Sequence, residues 1–95
     1  MTDHPMTDEE IAAIRAIRGR KTIREMARLA AAEAGIPLAE LLGPSHRHDL
    51  CKVREVVYGA ARRHGYSTTQ TARIFKRHHT TIISGLRNLD RRNAP

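Results

Sequence analysis

The chain has 95 residues, 17 Lys and Arg against 10 Asp and Glu, a formal charge of +7, and only 3% aromatic residues. That length makes one domain with one modest core. The lone cysteine, Cys51, excludes an internal disulfide and fits a reducing cytoplasm, and no apolar run approaches the ~20 residues that cross a bilayer.

With so few aromatics, Val, Ile, Leu, Ala and Met must build the core, which suits packed short helices better than a ligand pocket. The opening MTDHPMTDEE is acidic and polar, unlike a secretory signal, and its repeated MTD leaves Met1 or Met6 as the start. Charge is unevenly placed. Residues 1–43 hold 6 basic and 7 acidic side chains, a net of −1, whereas residues 44–95 hold 11 basic and 3 acidic, a net of +8. A polyanion would face the C-terminal half.

Helical punctuation runs throughout. Thr7 and Glu10 have capping-box spacing and open a helix over 8–18, with an apolar stripe of Ile11, Ile14 and Ile17 that ends at Gly19. Thr22 and Glu25 repeat the spacing and start a helix to Ala34, with Ile23, Met26, Ala27, Ala30 and Ala34 on one side and Gly35 as a left-handed end. Pro37 starts the short PLAELL helix, stopped by Gly43 and Pro44. After the loop GPSHRHD, Asp49 caps a long helix over about 50–64, buried through Leu50, Val53, Val57, Ala60 and Ala61 and closed by Gly65. Ser67 and Gln70 open the next helix to about Phe75. Residues 76–78 make a turn, and a last helix runs from His79 to about Arg91 on a stripe of Ile82, Ile83, Leu86 and Leu89. No strand-like alternation competes, so the fold class is all-α.

Residues 66–89, YSTTQTARIFKRHHTTIISGLRNL, therefore read as two helices joined by a tight polar turn. Arg77, His78, His79, Thr80 and Thr81 would project from the start of the second helix. A helix-turn-helix protein holds its base-contacting side chains there. His79 can donate to base acceptors, Arg77 can fork onto guanine, and threonine methyls can pack on a thymine methyl. Arg47, Lys52, Arg54, Arg73, Lys76 and Arg87 are candidates for phosphate contacts.

Other readings stay open. Thr80 and Thr81 also suit an ordinary first helical turn, and His78 and His79 suit a solvated surface. His46, His48, His78 and His79 show no His-x3-His spacing and have no cysteine pair beside them, so no metal or other cofactor is expected. Cys51 reads as a small core residue. Tyr58 and Tyr66 read as packing residues, and Gly85 as a point of close helix approach. No paired carboxylates or nucleophile–base set suggest an enzyme.

The run GIPLAELLG, the basic loop, the KVRE helix and FKRHHTTIISGLRNLD together resemble the C-terminal DNA-binding domain, domain IV, of the bacterial replication initiator DnaA. The likeness spans about residues 20–92, leaving 1–19 as an N-terminal amphipathic extension and 93–95 as a frayed tail. It rests on Arg77, His79, Thr80, Thr81 and Ile82, which match a family signature close to GGRDHTTVLHA. It implies a Trp-repressor-like helix-turn-helix that binds a short duplex box. A basic loop, matched at Arg47, would reach backbone and minor groove, and Lys52 and Arg54 would touch phosphates.

Two departures stand out. The turn is one residue shorter, and His78 replaces an aspartate, so a different base would be read there. The imidazole offers a donor or an acceptor according to its tautomer. No GxxxxGK[ST] loop is present and 95 residues cannot hold an ATPase module, so the binding function would stand alone. The expectation is a cytoplasmic, nucleoid-associated regulator of transcription or replication initiation whose partner is double-stranded DNA. A second copy could bind through the N-terminal helix. The alternative is a protein–protein adaptor on the same helical fold.

Overall fold

A computed structural model describes residues 21–94. The expected helix over 8–18 and its capping pair lie outside the described residues. Within them are five α-helices and no strand: α1 (Ile23–Ala34), α2 (Leu38–Leu41), α3 (His48–Arg63), α4 (Thr68–Phe75) and α5 (His79–Asn93). None is long and apolar enough to cross a membrane.

Local signals explain most boundaries. Thr22 Oγ1 accepts from the Glu25 N–H at 3.1 Å and opens α1. A complete capping box opens α4: the Gln70 N–H donates to Ser67 Oγ at 3.0 Å, and the Ser67 N–H donates to Gln70 Oε1 at 2.8 Å. Three helices close in one way, with two backbone bonds wrapped around a left-handed residue. In α1 that residue is Gly35 (φ 70°), with Ile36 N–H donating to Ala31 O at 2.9 Å. Beyond α3 it is Gly65 (φ 86°), with Tyr66 N–H donating to Ala61 O at 3.0 Å.

Several boundaries differ from expectation. Pro37 is the cap of α2 rather than its first residue, because its carbonyl accepts from Glu40 and Leu41. Asp49 does not cap α3. The helix starts at His48 behind Arg47, and the Asp49 carboxylate accepts from the Arg47 side chain instead. α5 continues to Asn93, through the first residue of the expected frayed tail. On α1 the buried side chains are Ile23, Met26, Ala27 and Ala31, while Ala34, on the same face, is exposed as the last residue of the helix.

α3 is the central element, packed on both α1 and α5. Close approach of α3 and α5 depends on Gly85: a Cβ there would lie 2.8 Å from a Tyr58 ring carbon. Tyr58 is buried and stands edge-on to Phe75, with ring centroids 5.0 Å apart. These two rings fill the centre with Leu41, Val57, Ala61, Ile82 and Leu86. Tyr66 anchors the start of α1 by donating from its hydroxyl to Lys21 O at 2.7 Å. Cys51 is half-buried, with Sγ 3.6 Å from His46 O.

Candidate nucleic-acid interface

The turn between α4 and α5 is short because Lys76 closes α4 in the left-handed conformation, φ 53° and ψ 46°. Arg77 N–H then donates to Ala72 O at 2.9 Å, repeating the geometry at Gly35 and Gly65. A side chain in that region costs about 1–2 kcal/mol relative to the right-handed form, so Lys76 stores backbone strain directly before α5.

His78 caps α5. Its backbone is extended, and its Nδ1 accepts from the Thr80 N–H at 3.3 Å and lies 2.8 Å from Thr80 Oγ1. An imidazole nitrogen that accepts carries no proton, so the ring N–H sits on Nε2. The His79 ring lies over it, centroids 4.4 Å apart. His78, His79, Thr80 and Thr81 are all exposed. Since α5 buries Ile82, Gly85, Leu86 and Leu89, its outer ridge continues from Thr80 through Ser84 and Arg87 to Arg91.

Two expected contacts change character. Arg54 is 2% exposed and cannot reach a phosphate. Its guanidinium gathers the polypeptide around it: Nε donates to Leu41 O at 2.7 Å, Nη2 to Glu40 O at 3.1 Å and Gly43 O at 2.9 Å, and Nη1 to Ser45 O. Burial, then the neighbouring Arg77 charge, lowers its pKa from the usual guanidinium value. Arg77 is half-buried rather than projecting, and its Nη2 donates to the same Gly43 oxygen at 2.9 Å. Burial raises the phenol of neighbouring Tyr58 above its ordinary pKa, against the pull of the Arg77 and Arg54 charges.

These bonds bring the loop over residues 43–47 beside the start of α5. A cleft of about 160 Å³ separates them, lined by His46, Arg54, Tyr58, Arg77, Thr81 and Ser84. Lys52, Arg73, Lys76 and Arg87 are exposed and hold no ion pair among the described residues, though Arg73 lines a separate cleft with Thr22, Ile23, Arg24 and Tyr66 at the start of α1. Arg47 is exposed but paired, 3.2 Å from Asp49 and 3.6 Å from Glu40. Slight desolvation pushes the Asp49 pKa up; the Leu50 N–H and the Arg47 charge more than offset it, leaving it below the usual carboxylate value.

Sequence reasoning missed Arg54 as an anchor, although a signal was present. It falls on the buried stripe Leu50, Arg54, Val57, Tyr58, Ala61. It also missed the links across the far end of the face, where Arg62 holds Asp90 through two bonds of 3.2 and 2.8 Å and Arg92 pairs with Glu55. Among the described residues no three His, Cys, Asp or Glu side chains group as a metal site. Comparison with protein-family models, curated proteins and solved structures finds no match to this chain.

Proposed function

We propose that this chain is a sequence-specific duplex-DNA-binding protein, with α4, the turn and α5 as a helix-turn-helix of the Trp-repressor and initiator domain IV kind. The observation that carries the reading is the juxtaposition of the exposed start of α5 with the basic loop over 43–47. Two exposed segments side by side suit a helix in a major groove and a loop on the adjoining backbone. The partial positive charge at the α5 start favours a phosphate there.

Roles follow from the donors each side chain has left. His78 offers Nε2–H, a donor suited to guanine O6 or N7, adenine N7 or thymine O4, and not to cytosine N4. His79 and Thr81 face outward beside it. Lys52, Arg73, Lys76 and Arg87 supply phosphate contacts that set affinity and register without reading sequence. Bound at its target sites, the chain would act on transcription or replication initiation by occupying DNA.

Selection of duplexes from a random pool, followed by titration of the winner and of a random duplex at several salt concentrations, tests this reading. Four or five neutralised phosphates give a slope of log K against log salt near about −4. Thr81→Ala should reduce preference for the selected duplex while sparing random-duplex binding. Equal affinity for all duplexes, unchanged by Thr81→Ala, would reject base reading. The adaptor alternative draws on a separate observation: Leu29 and Val56 are each 48% exposed on the α1 and α3 side. Failure to bind any duplex would turn attention there.

A further inference from the structure

Arg77 stands in the turn before α5, where a reader of bases or phosphates is expected, yet its guanidinium points into the protein. One nitrogen donates to Gly43 O, 34 residues away in the chain, at 2.9 Å. Arg54 donates to that same oxygen at 2.9 Å. No carboxylate pairs with either guanidinium among the described residues. Two like charges converging on one carbonyl repel each other. The arrangement persists because burial and four carbonyl acceptors fix Arg54, and because Gly43 O gives Arg77 a charge-assisted bond.

The chain gains one connection from this that no other hydrogen bond or ion pair among the described residues supplies: a polar link from the 76–78 turn to the loop over 43–47. Without it, that loop is tied to Arg54 on α3 but not to the element that presents His79 and Thr81. The loop carries Arg47 and His46, and the start of α5 carries His79 and Thr81. A duplex touching both sees two contact points whose spacing depends on Arg77. Holding two contact points at fixed spacing lowers the cost of engaging both.

We propose that Arg77 is a positioning residue rather than a reader of DNA: it joins the loop to the start of α5 so that both meet one duplex together. This role rests on the duplex-binding reading above. Arg54 anchors the loop, Arg77 sets its register against α5, and Arg47 makes the contact that the register serves.

A double-mutant cycle on the selected duplex, combined with amide exchange on the free protein, tests the role. In the wild-type background Arg47→Ala should weaken binding about five- to tenfold, as expected for loss of one backbone contact. In an Arg77→Met background the same change should cost less than about twofold, because contacts that share a strut are non-additive. Thr81→Ala should keep its full effect in both backgrounds. Arg77→Lys, which retains charge and one donor, should restore part of the coupling. In the free protein, Arg77→Met should speed exchange at Gly43 and Arg47 about tenfold or more while α3 and α5 stay protected.

Additive effects of Arg47→Ala and Arg77→Met would overturn the proposal. So would an Arg77→Met variant whose preference changes at a single base pair with all other positions intact, the mark of a base reader. Unchanged exchange at Gly43 and Arg47 removes the strut whether or not DNA binds. Protected exchange lost in Arg77→Met but no duplex bound by the wild type rejects the DNA reading, and with it any positioning role in recognition, while leaving the bond to Gly43 as a structural tie.

Discussion

The loop over 43–47 and the turn over 76–78 are both short, polar and basic, and they meet through Gly43 and Arg77. They are held by opposite means. The loop is organised from beneath, by a buried guanidinium that takes four carbonyls from the chain wrapped around it. The turn is organised from within itself, by a left-handed Lys76 and by His78 capping its own helix. A loop anchored by a distant residue keeps its side chains at the surface, where Arg47 pairs with the exposed carboxylates of Asp49 and Glu40. A self-capping turn engages part of its surface in its own bonds, which leaves Thr80 turned toward His78 and only His79 and Thr81 without such a bond.

Substitutions separate the two regimes. The largest effect is expected at the loop. Arg54→Met removes one donor from each of four carbonyls, of which Gly43 O keeps Arg77 and Glu40 O keeps the Gly43 N–H. It should cost about 3 kcal/mol, as unsatisfied buried polar groups do, read as a lower midpoint in thermal or urea unfolding. At the turn, His78→Ala removes a single cap and should cost about 1 kcal/mol, with the loss confined to the first turn of α5 in amide exchange. An equal cost for both would erase the contrast between a buried anchor and a self-cap.

Lys76→Gly sharpens the contrast from the other side. Glycine adopts the left-handed conformation without the side-chain penalty, so the variant should gain about 0.5 kcal/mol after the added flexibility of its unfolded chain. A loss of stability would show that the Lys76 side chain makes a favourable contact. The smallest effect concerns Asp49. Its carboxyl pKa is depressed in the folded state, so its contribution is present above the unfolded value of 3.8 and fades as pH falls through the folded one. Stability measured in acid should fall slightly less steeply in Asp49→Asn, and NMR titration of the carboxyl should report a midpoint below 3.8.

Why some of this was readable from sequence and some was not follows from the range of the forces involved. Caps and stripes are local. Thr22, Ser67, Gly35 and Gly65 act within four residues, and Ile82, Leu86 and Leu89 recur at the helical period, so the all-α class and most boundaries were legible. Lys76 as a left-handed residue was hidden, because lysine carries no signal for that conformation. Arg54 lay in plain view on a buried stripe, but its charge argued for the surface until its carbonyl partners, supplied by a loop up to 14 residues back, were visible. The Arg77 bond to Gly43 spans 34 residues and has no periodicity to betray it. The His78 tautomer depends on one backbone N–H, which the sequence does not reveal.

Mapping a selected duplex onto the backbone amides by NMR tests the central claim most directly. The account predicts perturbations that cluster at residues 43–47 and 77–81 and weaken with salt, with α1 silent. Perturbations centred on Leu29 and Val56, or an unmoved start of α5 under saturating duplex, would contradict it.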